Sequence, residues 1–219
     1  AGGGSVLALG GVGSQNYSGS GGRISIVQRE TTGWTAFAGT YDAGLDKEGG
    51  NATCGTIYLE DASDTADEGT LIVDNANRDK THMTPLNFTM TDATNAFGRV
   101  VVRNRGKLRI VSGLTMKVTK GISVSSNGSV LTEEGGAIEF VGADDATVTG
   151  GSLITVESLI CTNAGKTIRF GTAAADKLTI PLGKSLILRG EPGNPVTLAS
   201  TTEGTRWPIA VNANAGLVD

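Results

Sequence analysis

The amino-acid sequence predicts an all-β fold built as a parallel β-solenoid, and three observations lead to this prediction. Gly supplies 33 of the 219 residues, about twice its ordinary share. Apolar runs of three to five residues recur along the chain, and the spacing of an amphipathic helix is absent. Asn127-Gly128 is the only pair of the Asn-Gly type, so tight antiparallel hairpins are not the usual connection.

The N-terminal part of the chain, residues 1–98, is predicted to form irregular, wide coils. Strands are expected at 24–27, 56–59 and 71–73, where apolar and β-branched residues cluster. The intervening segments are rich in Gly or in polar residues and are expected to leave the coils as loops, at 10–22, 39–55, 60–69 and 74–84.

Residues 99–219 are predicted to form compact coils of two or three short strands, stacked about 4.8 Å apart. The apolar runs recur here every 7 to 15 residues between Gly, Asn, Asp and Ser, of which Gly and Asn best tolerate the left-handed backbone of tight corners. Strands are expected at 100–102, 108–111, 114–118, 122–124, 129–131, 137–140, 153–156, 167–170, 178–180, 186–188, 196–198 and 209–211. The inward side chains are expected to be Ile24, Ile26, Ile57, Leu59, Ile72, Val101, Ile138, Phe140, Leu153, Ile168, Ile187 and Val211.

The composition indicates one folded domain over residues 1–219. Apolar residues reach 38% and the net charge is only −4, which argues against a disordered chain. No apolar run approaches the roughly 18 residues of a membrane span. The sequence starts without an initiator Met or a signal peptide and ends where a strand could continue. We therefore expect it to be a segment of a longer polypeptide.

Two stretches resemble recurring patterns of large bacterial surface proteins. The first joins Gly19-Ser20-Gly21-Gly22-Arg23-Ile24-Ser25-Ile26 to Gly55-Thr56-Ile57-Tyr58-Leu59 and to Leu71-Ile72-Val73-Asp74-Asn75. The second, residues 196–207, is similar to a coil of a right-handed parallel β-helix in such proteins. The resemblance covers about residues 19–75 and 178–212. It implies a right-handed parallel β-helix, secreted or exposed at the cell surface, and it implies no particular reaction.

Candidate catalytic residues are few. Asp144 and Asp145 form the only adjacent Asp pair; a solvated turn is the preferred interpretation, and a pair of catalytic carboxylates is the alternative. His82 is the only histidine and cannot by itself anchor a typical zinc site. Glu139 and Arg169 flank inward positions and should point outward. They are therefore the first residues to mutate in a test for enzymatic activity.

Charge is concentrated in two blocks. The acidic block, residues 42–74, has nine Asp and Glu against Lys47, whereas residues 93–132 contain no Asp or Glu. The basic block consists of Arg99, Arg103, Arg105, Lys107, Arg109, Lys117 and Lys120. The preferred interpretation is internal pairing between the two blocks, and the alternative is docking of an anionic glycan on the basic block. The negative overall charge argues against nucleic acid.

The loop that contains Asp61, Asp64 and Asp67 is rich in carboxylates, so calcium is considered there, although an EF-hand's Gly and closing Glu are missing. No other cofactor is expected.

Cys54 and Cys161 lie 107 positions apart, about four or five coils at the expected coil length. An axial separation of roughly 20 Å follows from the strand spacing. Two free, buried thiols are therefore predicted, because a disulfide needs Cα atoms within about 7 Å.

Functions of different classes fit this sequence. The preferred one is a stalk, adhesin or envelope segment of an extracellular or cell-surface protein. Its partners would be the rest of the parent polypeptide, neighbouring copies or a surface polysaccharide. The alternatives are a polysaccharide lyase or hydrolase, which needs converging titratable groups, and a glycan-binding module. Aromatic candidates for the last are Trp34, Tyr41 and Trp207.

Overall fold

The computed structural model describes residues 3–11, 19–28, 39–45, 52–78, 82–87, 96–125 and 127–211, together with the strand backbone of 216–218. These residues are almost entirely β-strand and connecting turn. The strands are β1 Ser5–Leu7, β2 Arg23–Val27, β3 Thr40–Asp42, β4 Thr56–Glu60, β5 Thr70–Asp74, β6 Thr84–Leu86, β7 Phe97–Arg103, β8 Lys107–Ile110, β9 Thr115–Val124, β10 Ser129–Thr132, β11 Ala137–Phe140, β12 Ala146–Thr149, β13 Ile154–Thr155, β14 Ser158–Cys161, β15 Thr167–Phe170, β16 Leu178–Ile180, β17 Ser185–Leu188, β18 Thr197–Ser200, β19 Ile209–Val211 and β20 Gly216–Val218. Two short 3₁₀ turns, Gly151–Leu153 and Ala174–Asp176, lie between strands.

The strands β1 to β4 form the N-terminal region. β1 pairs in parallel with β3, and β2 pairs in parallel with β4, at sequence offsets of 35 and 33 residues. Ile24, Ala43 and Ile57 are buried in its hydrophobic cluster. The parallel register places Ile24 opposite Ile57, so their side chains meet on the same face of the sheet.

β4 and β5 pair antiparallel, which departs from the expected parallel coils. Ile57 lies opposite Ile72, and Tyr58 lies opposite Leu71. Ile72 packs against the cluster of the N-terminal region, whereas Leu71 belongs to the larger core of the chain. Because side chains alternate between the two faces of a sheet, the two hydrophobic clusters cover opposite faces of this junction.

From β8 onward, the chain repeats a set of three strands, which we call the three-strand repeats. They comprise β8 with the two halves of β9, then β10–β12, β13–β15 and β16–β18, followed by β19 and β20. Corresponding strands of successive repeats pair in parallel at offsets of 21 to 31 residues, except that β13 and β16 belong to different sheets. The second half of β9 pairs with β7 and β12, while its first half pairs with β11, so β9 serves two columns of strands.

The repeats enclose one aliphatic core with few aromatic rings. Fully buried residues from successive strands stack in it, including Leu108, Met116, Ile138, Phe140 and Ile168. At the corners before β8, β10 and β13, the backbone adopts positive φ at Asn104 (51°), Asn127 (60°) and Gly150 (69°). The expected use of Asn and Gly at these corners is thereby confirmed.

The inward positions were predicted correctly in strands where a charged residue indicates which side chains face the solvent and which face the core. Ile24, Ile57, Ile138, Phe140 and Ile168 are buried, and Ile26, Leu59 and Leu153 are half-buried. Ile72 is half-buried as well and packs against the cluster of the N-terminal region. Val101 and Ile187 are half-buried but belong to neither hydrophobic cluster, and Val211 is 38% exposed, so these three assignments are wrong. The residues of these strands that are buried in the larger core are Leu71, Val73, Val100, Val102 and Leu186.

Both cysteines are free and buried, as their separation in sequence predicts. Burial raises the pKa of the Cys161 thiol, so the thiol stays protonated and behaves as a small apolar side chain. The described residues contain no helix that is long and apolar enough to cross a membrane.

Candidate functional site

The basic block winds around the molecule. Arg99 and Arg103 lie on β7, Lys107 and Arg109 lie on β8, and Lys117 lies on β9. β7 and the second half of β9 share a column, whereas β8 belongs to a different sheet. Residues that are adjacent in sequence are therefore distributed over different faces, and they form a belt around the repeats.

Two members of the basic block contact the acidic block directly. Nε of Arg103 donates to Oδ2 of Asp74 at 2.7 Å, and these residues lie opposite each other on β7 and β5. Nζ of Lys120 is 3.6 Å from Oδ1 of Asp64. Internal pairing, the preferred interpretation of the two charge blocks, therefore accounts for these two residues.

Arg99, Arg105, Lys107 and Arg109 lie at other positions of the belt. Arg109 donates from Nη1 to Oε1 of Glu133 at 3.0 Å. Arg99 is exposed and lines a shallow groove of about 240 Å³ together with Thr147 and Thr149. Arg105 and Lys107 are half-buried, at the turn before β8 and at its first position.

The carboxylates considered for calcium face different partners. Oδ1 of Asp61 accepts from the amide and the hydroxyl of Ser63 at 2.7 and 2.5 Å, and these hydrogen bonds lower the pKa of Asp61. Asp64 accepts from the Asp61 amide at 3.1 Å and faces Lys120. Within the described ranges, no group of three or more acidic, His or Cys residues could hold a metal ion, so the geometry gives the calcium hypothesis no support.

Of the candidate catalytic residues, Glu139 and Arg169 lie in different columns, whereas Asp145 contacts Arg169. Glu139 is on β11, in the column with β9 and β14, whereas Arg169 is on β15, in the column with β12 and β18. Asp145 is exposed and accepts from Nε and Nη2 of Arg169 at 3.2 and 3.0 Å. Asp144 is also exposed, as expected for a turn. His82 is exposed and forms a single β-bridge with Thr53.

Lys166 is a buried polar residue that sequence reasoning missed. Its side chain has no exposed surface, and Nζ donates to the carbonyl oxygens of Thr119, Gly142 and Asp144 at 2.8, 3.2 and 2.5 Å. The acceptors come from the corners of the two preceding repeats. Burial lowers the pKa of Lys166. No signal in the sequence marks this lysine, since its neighbours are those of an ordinary turn.

An open cleft, here called the Trp207 cleft, lies beside the ends of β15 and β18. Its volume is about 500 Å³, and its walls include Arg169, Ser200, Thr201, Glu203, Thr205 and Trp207. Trp207 stacks on Phe170, with ring centroids 5.0 Å apart and an interplanar angle of 19°. Tyr41 instead packs against the cluster of the N-terminal region, and Trp34 lies outside the described residues.

The chain matches no family model, no curated protein and no solved structure.

Proposed function

We propose that this chain is a structural segment of a large extracellular or cell-surface protein, folded as a right-handed parallel β-helix that serves as a stalk or adhesive element. The observation that carries the proposal is the use of charged side chains to connect successive layers of the chain.

Ion pairs join residues that are far apart in sequence and lie in neighbouring layers. The pairs are Arg78–Asp42, Arg103–Asp74, Arg109–Glu133, Arg169–Asp145 and Lys184–Glu157. Each exposed pair contributes little alone, typically below about 1 kcal/mol. Placed along a stack, they act together with the parallel hydrogen-bond ladders to hold each layer on the next, which suits a load-bearing segment.

The parallel pairing of strands from successive circuits supports the β-helix. Val130 pairs with Leu108 at an offset of 22 residues and with Ile154 at 24. In this column each circuit of the chain adds one strand, as in a solenoid. Parallel strands joined by crossovers are right-handed in about 98% of cases, which supports the proposed handedness.

The surface location rests on the resemblance of residues 19–75 and 178–212 to repeats of bacterial surface proteins. The partners proposed on this basis are the rest of the parent polypeptide, neighbouring copies of it and surface polysaccharide. Immunolabelling of intact cells that produce the protein tests the location. Labelling that requires permeabilised cells would contradict it.

Engineered disulfides test the stacked architecture. Ser158 and Ser185 are opposite each other on β14 and β17, where neighbouring strands lie about 4.8 Å apart. We expect the double variant Ser158→Cys, Ser185→Cys to form a disulfide in air, detected by a mobility shift that reductant reverses. The control pair Ser158→Cys, Ser129→Cys combines strands of different sheets and should stay reduced. Equal oxidation of both pairs would refute the stacking.

A structural role also predicts that the purified chain does not turn over polysaccharides. Uronic-acid and neutral polysaccharides are incubated with the chain, with and without calcium, and new reducing ends are measured. Turnover that Glu139→Ala or Arg169→Ala abolishes would replace the structural proposal by a polysaccharide lyase or hydrolase.

A further inference from the structure

We propose that the Trp207 cleft binds a neutral saccharide, a site that is independent of the structural role of the repeats. The cleft is formed by the outward surface of β15 and β18 and by the loop after β18. Its volume of about 500 Å³ lies within the range of small-molecule sites, roughly 300 to 1,000 Å³. It could accommodate one or two sugar rings.

The aromatic wall of the cleft is held in place by the core. Trp207 stacks on Phe170, whose own side chain is fully buried. The indole can therefore keep one orientation at little cost in conformational entropy. A pyranose ring has an apolar face of C–H groups and a rim of hydroxyls, and a fixed indole offers the apolar surface against which such a face packs.

The polar wall is equally constrained. Asp145 binds Nε and Nη2 of Arg169, which fixes the guanidinium plane and leaves Nη1 as a donor. Glu203 is an exposed carboxylate on the facing loop and accepts hydrogen bonds. A hydroxyl both donates and accepts, so a rim of sugar hydroxyls matches a donor and an acceptor placed on facing walls.

The loop that carries Glu203 is closed by its own hydrogen bonds. The Thr201 amide donates to the carbonyl oxygen of Phe170 at 2.9 Å, and the Thr205 amide donates to the carbonyl oxygen of Thr202 at 3.2 Å. The Thr202 amide donates to the Ser200 hydroxyl at 3.0 Å. These bonds order the loop before a ligand arrives, which lowers the entropic cost of binding.

The charges of the cleft favour a neutral ligand. Asp145 neutralises Arg169 in the ion pair, and Glu203 adds one negative charge. Arg206 of the same loop does not line the cleft, so a polyanionic glycan would meet this carboxylate with no cation among the lining residues other than the paired Arg169, and charge complementarity disfavours that ligand class. The belt of basic residues around β7 to β9 is a separate surface.

The test is isothermal titration calorimetry of the full chain with neutral oligosaccharides of glucose, mannose and xylose, and with oligogalacturonate as the anionic probe. We expect saturable binding of at least one neutral oligosaccharide. Glu203→Gln and Arg169→Met should each weaken that binding at least tenfold. Arg206→Ala changes an exposed residue of the same loop that does not line the cleft, and it should leave the affinity within twofold.

Trp207→Ala should abolish binding, but it also removes the ring that covers Phe170. Glu203→Gln, which leaves the core intact, therefore decides the outcome, with unchanged thermal unfolding as proof of folding. Lack of binding by every neutral probe, tighter binding of oligogalacturonate, or equal affinity of Glu203→Gln and the parent chain would each overturn the proposal. None of these results bears on the disulfide test of the stacked architecture.

Discussion

The N-terminal region and the three-strand repeats use similar strands but differ in how much core each circuit of the chain encloses. Parallel partners lie 33 or 35 residues apart in the N-terminal region and as few as 21 apart in the repeats. The cluster of the N-terminal region buries Ile24, Ala43 and Ile57, while the repeats bury apolar residues on every strand from β8 to β17.

We expect the stability of each region to depend on the number of residues in each circuit of the chain. In the repeats, few residues separate an inward side chain from the corresponding side chain of the next circuit. Little conformational entropy is therefore lost for each side chain that is buried. The N-terminal region buries a smaller cluster although its parallel partners lie further apart in sequence. We therefore expect the repeats to be the stable part of the molecule and the N-terminal region to open first.

The largest expected effect is that of a cavity in the core of the repeats. Phe140 has no exposed surface, and Phe140→Ala should lower the free energy of unfolding by about 4 kcal/mol. Chemical denaturation followed by circular dichroism measures the change. The control, Leu182→Ala, truncates a side chain that is 61% exposed, and a comparable loss in that variant would contradict the proposed core.

Removal of the buried ammonium should have the next largest effect. Lys166→Met keeps the apolar stem but leaves three buried carbonyl oxygens without their donor, which should cost about 3 kcal/mol. Lys177→Met changes an exposed lysine and should shift stability by no more than about 0.5 kcal/mol. If the two variants unfold at the same denaturant concentration, Lys166 does not link the corners of the repeats.

A cavity in the N-terminal region should be smaller in effect and local. Ile57 is 2% exposed, but half-buried neighbours such as Leu59 can relax around it, so Ile57→Ala should cost about 2 kcal/mol. Hydrogen exchange with mass spectrometry should show faster exchange in β1 to β4 and unchanged exchange in β8 to β12. Uniform acceleration would mean that the two regions unfold as one unit.

Tyr58, at the junction between the two regions, should make the free energy of unfolding depend on pH in the alkaline range. Burial and then the hydrogen bond to Glu60 raise the pKa of Tyr58 to about 12 from 10.0. The folded chain keeps the phenol proton after the unfolded chain has lost it, so this contribution is complete below pH 10 and declines between about pH 10 and 12. Denaturation of the parent and of Tyr58→Phe across this window isolates Tyr58, because other titrating groups are common to both.

The smallest effect is expected from the ion pair between the charge blocks. The Arg103 side chain is 48% exposed where it meets Asp74, and Arg103→Ala should cost at most about 0.5 kcal/mol. Thermal unfolding at low and high salt measures it, and salt should reduce the difference from the parent chain. A loss similar to that of Ile57→Ala would show that surface charges, rather than the apolar clusters, set the stability of this junction.

Much of the strand pattern could be predicted because polar residues alternate with apolar ones. In β11, Glu139 lies between Ile138 and Phe140 and indicates that these two neighbours face the core, and both are buried. In β5 and β7, three apolar residues follow one another, so alternation alone does not indicate which of them face the core. Leu71 and Val100 face the larger core, whereas Ile72 packs against the cluster of the N-terminal region, because the antiparallel pairing of β4 with β5 placed the two clusters on opposite faces.

The sequence by itself determined the all-β class, the short circuits of the chain, the use of Asn and Gly at corners and the separation of the two thiols. These features depend on local conformational preference and on spacing along the chain. Only the tertiary structure decided that Lys166 lies inside, that Trp207 covers Phe170 beside Arg169 and Glu203, and that the basic block forms a belt. Each of these depends on which residues of different circuits meet, and the register between circuits is set by packing across the whole stack, which no single segment encodes.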